Sequence, residues 1–276
     1  MTHKQPWEGL PQPAFPPLFI SPFMYTLEQL KSRHSVRSYT DEPLSDRETN
    51  ALRAAISEIN SYLPGTRFQL ITGDDTPFRG RFGSYGIFRN VRNYIAAVMD
   101  TAVANAYETA GYAGQKAAMT ATVHGLGSCF IGGTFSAQNL PVQTRAGEKT
   151  VFIIAVGHSS DANGKRFGDR LIRSFSHRRK MTAVDFFDTA KSGMSFDEAT
   201  KACPKLAYGL EAIACAPSAM NKRPVRIRVD ADGTYHAFVP NMTGFTPVDL
   251  GIAKFNFEQV VPGEWERGND APFLTF

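Results

Sequence analysis

With 276 residues, 42% of them apolar, the chain can bury a substantial core and hold one large domain or two small ones. No apolar run approaches the length of a membrane span, and a net charge of +4 is too mild to imply a nucleic-acid partner. Cys129, Cys203 and Cys215 are odd in number and form no Cys-x-x-Cys pair. This speaks against structural zinc and for reduced thiols. The N-terminus lacks a basic region followed by an apolar core, so a cytoplasmic protein is expected.

In chain order, Met1 to Tyr25 carries six prolines and reads as an extended arm (residues 1–25). Thr26 is an N-cap for a short helix through Ser32. Arg33-His34-Ser35-Val36-Arg37 follows. Two arginines four apart around a serine can present forked donors and a hydroxyl to one phosphate, and a solvated basic turn is the plainer alternative. Ser45 with Glu48 forms a capping-box pattern, and Leu52, Ala55, Ile56 and Ile59 give the next helix one apolar face. Arg67 to Gly73 alternates as a strand, and Tyr94 to Met99 is a strand buried on both faces. The longest helical pattern runs from Ala102 to His124, rich in Ala and Gly and able to pack closely. It leads through Gly125-Leu126-Gly127-Ser128 into Cys129 to Gly133, and Thr150 to Gly157 is a further buried strand. Lys165 to Lys180 is strongly basic, and such runs are usually solvated faces.

Leu206 to Cys215 reads as a helix and Val225 to Asp230 as a strand. Between them, Ala216 to Arg226 (APSAMNKRPVR) is a tight polar connection with two prolines. It can aim a serine hydroxyl, an asparagine amide and two cationic heads at one planar polar ligand, or it is simply a helix end and turn. Asp230 to Gly233 turns into Tyr235 to Phe238. The second half repeats the first in order and pattern: Leu210–Asn221 echoes Leu52–Asn60, Val225–Val229 echoes Phe68–Thr72, and Asp249–Glu258 echoes part of Gly111–Ala121. There is no Gly-x-Gly-x-x-Gly fingerprint, Walker loop or His-Glu-x-x-His motif. His124 and His158 read as structural histidines and Cys129 as a small buried residue.

The Arg-x-Ser-x-Arg stretch, the Gly-Leu-Gly-Ser turn after a long helix, the Gly-rich segment after it and the Pro-Ser-x-x-Asn loop together resemble the FMN-dependent nitroreductase family. In that family the Pro-Ser-x-x-Asn loop ordinarily precedes the central helix and reaches the flavin of the partner subunit. Here that position holds Ile59-Asn60-Ser61, and the full loop occurs only in the second half. The order is similar to the single-chain, thermophile-type nitroreductase subgroup. The resemblance implies an α+β nitroreductase-like fold of two pseudo-symmetric halves, residues 26–180 and a shortened 181–276, in a monomer with an internal pseudo-dimer.

Carried over by residue, the resemblance places Arg33, Ser35 and Arg37 at the FMN phosphate and ring edge, with His34 in support. Pro217, Ser218 and Asn221 approach from the other half. Phe130, Ile131, Gly132 and Gly133 line the ring face, and Arg179 is a second phosphate partner, with Arg178 and Lys180 nearly equivalent. Many members carry Gln and an aromatic where Arg223 and Val225 stand, and some carry an acidic residue at Gly132. The implied activity is FMN-dependent oxidoreduction, with NADH or NADPH as donor and a nitroaromatic, quinone or similar small molecule as acceptor. Lys222 or Arg223 would stabilise negative charge on the reduced ring. The alternatives are a flavin- or ligand-binding protein without turnover and a purely structural protein that binds no flavin.

Overall fold

The computed structural model describes residues 25–63, 65–79, 87–160 and 181–275. Most of the N-terminal arm and the basic run ending in Lys180 lie outside them.

Helix α1 (Leu27–Ser32) starts at a capping box of Thr26 and Gln29. Helix α2 (Asp46–Tyr62) starts at the Ser45–Glu48 box: the Glu48 N–H donates to Ser45 Oγ at 3.3 Å, and the Ser45 N–H donates to Glu48 Oε2 at 2.7 Å. Ser45→Ala is expected to lower unfolding free energy by about 1 kcal/mol, measured by urea titration, because the Glu48 N–H loses its acceptor and the Glu48 carboxylate loses the Ser45 hydroxyl. Leu52, Ile56 and Ile59 are buried on one face, as their spacing requires.

Strands β1 (Thr66–Ile71) and β2 (Tyr94–Asp100), helix α3 (Ala106–Val123), and strands β3 (Gly127–Ile131) and β4 (Glu148–Gly157) complete the first half. The strands form an antiparallel sheet in the order β1-β2-β4-β3. Strand β1 ends two residues before Gly73, which turns the chain at φ +72°. Helix α3 begins at Ala106, four residues later than the sequence pattern suggests. The Asp100 carboxylate takes the Ala102 N–H at 2.9 Å, and Asn105 sits at φ 56°, so the Ala102–Asn105 stretch is used as turns. Such a local side-chain bond competes with the first turn of a helix.

The second half holds α4 (Thr189–Ser192), α5 (Phe196–Ala202), α6 (Lys205–Ala214), β5 (Arg226–Val229), β6 (Tyr235–Phe238), α7 (Thr246–Glu258), β7 (Glu264–Trp265) and β8 (Ala271–Leu274). Its sheet runs β5-β6-β8-β7, again antiparallel. The strand order matches the first sheet, and α7 occupies between β6 and β7 the place that α3 occupies between β2 and β3. The fold is therefore α+β with two pseudo-symmetric halves.

Helices α3 and α7 cross at the centre. A Cβ on Gly111 would overlap the Val248 carbonyl oxygen, and one on Gly251 would overlap that of Glu108. Only glycine lets the two backbones approach so closely. Around the crossing, Gln115 Nε2 donates to Asn256 Oδ1 at 2.9 Å, and Asn256 Nδ2 to the Ala212 carbonyl at 2.9 Å. Lys254 and Glu108, both buried, pair at 2.6 Å, and Lys254 Nζ also donates to the carbonyls of Glu266 and Gly268 at 2.9 and 2.8 Å.

Glu258, at the end of α7, accepts from the Trp265 N–H at 2.7 Å and from the Tyr112 hydroxyl. Burial pushes its carboxyl from 4.5 up to about 8, against the pull of those two donors and of Lys254. The unfolded chain loses this proton first as pH rises, so the folded protein loses stability progressively between about 4.5 and about 8. Glu258→Gln is expected to flatten that slope, read as urea midpoints at pH 5 and pH 8.

Candidate functional site

Leu30 of α1 is buried in one cluster with Met119 of α3, Ala212 of α6 and Phe255 of α7. Lys31 pairs with Glu211 of α6 at 3.3 Å. This packing delivers Arg33 to the C-terminal end of α6, where the 216–224 loop begins. Arg33 is 8% exposed, too buried for the solvated turn that the sequence also allowed. Burial raises the Cys215 thiol pKa, while Lys31, Arg33 and Arg223 pull it back. Arg33 of the basic stretch and Arg223 of the loop thus both lie within electrostatic reach of the Cys215 thiol.

From Arg33 the chain runs extended beside β3. Ser35 bridges Ser128 in parallel, and the Val36 N–H donates to the Ser128 carbonyl at 3.0 Å. Gly127 is required there, because a Cβ would come within 2.6 Å of the Val36 side chain. Arg37 Nη1 turns back to the Ser35 carbonyl at 3.4 Å, and His34 Nδ1 lies 3.1 Å from the Ser32 carbonyl. The Ser128 hydroxyl is buried without a hydrogen-bond partner among the described residues.

At the other end of β3, Ile131 is buried, and Phe130 packs on Phe152 with ring centroids 5.4 Å apart. Gly132 and Gly133 are exposed. The ring of Phe245, just before α7, covers Gly132, whereas a Cβ on Gly133 would meet nothing. One turn further along α7, Asp249 Oδ1 accepts the Ala219 N–H of the loop at 2.9 Å. Phe245 and Asp249 therefore link the Gly-rich segment to the loop. The sequence reading passed over both; the only signal was an acid in the first turn of a helix, which ordinarily marks a solvated N-terminus.

The loop is held in an unusual backbone form. Met220, Asn221 and Arg223 have φ of 53°, 52° and 49°, a region that costs an L-residue about 1–2 kcal/mol each unless its surroundings compensate. The compensation is local: the Arg223 N–H donates to Ser218 Oγ at 2.8 Å, and Arg223 Nε donates to Asn221 Oδ1 at 3.1 Å. Pro217, Ser218 and Arg223 line a recess floored by Ile213, Val225 and Asp249. Arg179 lies outside the described residues. His124 and His158 serve the framework, His124 against the Thr120 carbonyl at 2.8 Å and His158 against Glu48 at 3.0 Å.

Residues 25–261 match the family described as "Putative TM nitroreductase". The chain belongs to that family. Among solved structures, this nitroreductase-family chain is similar to a putative nitroreductase from Thermotoga maritima, with a TM-score of 0.58 at 18% identity over 90% of this chain and 92% of that one. A putative nitroreductase from Desulfovibrio desulfuricans in complex with FMN matches with a TM-score of 0.39 at 26% identity, over 52% and 93%. An FMN-dependent nitroreductase from Clostridium difficile matches with a TM-score of 0.40 at 18% identity, over 56% and 99%. No curated protein matches the chain. Among the described residues, no helix of this family member is long and apolar enough to cross a membrane.

Proposed function

We propose that this chain binds FMN between its halves and uses NADH or NADPH to reduce a nitroaromatic, quinone or similar small molecule by a ping-pong route. The observation that carries the reading is that Arg33 of the basic stretch and Arg223 of the loop, 190 positions apart in the sequence, both lie within electrostatic reach of Cys215 at the end of α6. The residues suit the group. Arg33, Ser35 and Arg37 offer cationic and hydroxyl donors suited to a phosphate. The Ser128 hydroxyl and one Asp249 oxygen are buried without partners among the described residues, as expected of a polar ligand's place. Gly133 leaves space where a side chain would stand.

When bound, FMN supplies the redox chemistry, taking a hydride from the nicotinamide and giving it to the acceptor. The chain's own part is to bind and orient. The loop presents Ser218 and Asn221, and Lys222 and Arg223 add positive charge beside them. Positive charge from either residue favours a reduced, anionic ring.

The matching place in the other half supports one flavin per chain and a monomer. There Leu63, after α2, stands for the loop after α6, and Trp265 and Arg267, at the end of β7, stand for the segment after β3. The recess they line is also lined by the buried Glu108–Lys254 pair. On this reading residues 26–180 and 181–276 are the two halves, and the cytoplasm is the expected location.

The test is the visible spectrum of the purified protein with FMN added, followed by anaerobic NADH or NADPH. A flavin bound one to one and bleached by the nicotinamide is expected. Bound flavin that neither nucleotide reduces corresponds to the ligand-binding alternative, and no binding at excess FMN overturns the proposal. Arg33→Met is expected to weaken FMN at least tenfold, about the 1.5–3 kcal/mol of a hydrogen bond to a charged group, read by quenching of flavin fluorescence.

A further inference from the structure

The first turn of α7 holds the carboxylate of Asp249 in an unusual state. An acid at this point of a helix is ordinarily solvated and needs no further explanation. Asp249 is 3% exposed. Its Oδ1 accepts the Ala219 N–H at 2.9 Å, and its Oδ2 is buried with no hydrogen-bond partner among the described residues. A purely structural tether would use one oxygen and replace the other by a group that need not be desolvated, since an unpartnered buried acceptor is costly. The side chain also lines the recess beside Pro217, Ser218 and Arg223. Four residues earlier, at the N-cap of the same helix, Phe245 rests on Gly132.

We propose that Asp249 is the positioning residue of the flavin site. Its Oδ1 fixes the Ala219 amide, and with it the left-handed turn at Met220 and Asn221, in register with the Gly132–Gly133 backbone. Its Oδ2 is reserved for a donor hydrogen of the bound ligand. The second clause rests on the flavin reading; the first does not.

The charged groups facing Asp249 are Lys222 and Arg223, both from the loop. The other walls, from Phe186, Ile213, Val225 and Ala253, are apolar. Burial pushes the carboxyl up to about 7, with the Ala219 N–H and the Lys222 charge acting against it. The ionised form is the stronger acceptor, so the grip on loop and ligand tightens as pH rises through neutrality.

Two measurements test this. Amide hydrogen exchange on FMN-free protein reads the tether alone. The peptide covering residues 217–223 is expected to exchange about tenfold faster in Asp249→Ala than in the wild type, the loss of one charge-assisted hydrogen bond, with β1 to β4 unchanged. Asp249→Asn, which keeps an acceptor for Ala219, is expected to stay near the wild-type rate. Equal exchange in wild type and Asp249→Ala overturns the positioning role, and general acceleration in Asp249→Ala leaves the decision to Asp249→Asn, whose loop must stay protected. FMN titration at pH 6 and pH 8 reads the second oxygen. Wild-type affinity is expected to rise by up to about tenfold over that interval, and Asp249→Asn to show no such rise. The same pH profile in both proteins overturns the ligand-facing role. Absence of FMN binding by the wild type overturns the flavin reading, and the exchange experiment still decides the tether.

Discussion

Gly251→Ala is expected to lower the unfolding free energy by about 3–5 kcal/mol, and Gly111→Ala by a similar amount. Alanine in a helix interior ordinarily gains about 1 kcal/mol over glycine, so propensity alone predicts the opposite sign. Contact decides it, because the added methyl would overlap the Glu108 carbonyl oxygen in one case and that of Val248 in the other. A backbone carbonyl cannot swing aside as a side chain can, so α3 and α7 must move apart along their crossing. That movement opens the core clusters in which Val248, Ile252, Leu250 and Ala253 are buried. Gly133→Ala is the control, since a Cβ there meets nothing and its φ is ordinary. Urea midpoints compare the three. A loss below about 1 kcal/mol in both helix variants would show that the helices can separate at little expense.

Lys254→Met is expected to lose about 3–5 kcal/mol, the cost of removing one partner from a buried pair. Methionine fills the aliphatic volume, so the effect isolates the ammonium. Its removal leaves Glu108 Oε1 and the carbonyls of Glu266 and Gly268 without their common donor. The Gly268 N–H still reaches Glu108 Oε2 at 2.9 Å, which limits the damage without cancelling the buried charge. The double variant Lys254→Met, Glu108→Gln should therefore be more stable than Lys254→Met alone, because the orphaned charge is gone. Denaturant titration of the four proteins closes the cycle, and additive losses would mean that the pair is not coupled.

Much of the fold was legible because the decisive signals were local. The Ser45–Glu48 box and the buried run Tyr94 to Met99 each sit within a few residues. The short strands Glu264–Trp265 and Ala271–Leu274 escaped, since two to four residues carry no periodicity and their pairing is set by partners in space. The β2–β4 register shift at Ala97 and Val98 escaped for the same reason. Of the candidate site, the two motifs were visible as strings, but the helix turn that spans them was not. Asp249 looks like any acid in a first helical turn until the loop is folded over it, and Phe245 like any core aromatic. The late start of α3 is a contest between helix propensity and the Asp100 side-chain turn, which composition alone cannot settle.

The helix crossing at Gly111 and Gly251 has a consequence for behaviour in solution. Both of its sides are carried by one polypeptide, so their encounter is unimolecular and its effective concentration is set by the connecting chain. Dilution cannot pull the two sides apart as it would two subunits. Each half is also encoded separately, so a change on one side of the crossing need not be mirrored on the other. The two recesses are thereby free to acquire different contents, as the Glu108–Lys254 pair in one and the left-handed loop in the other already illustrate.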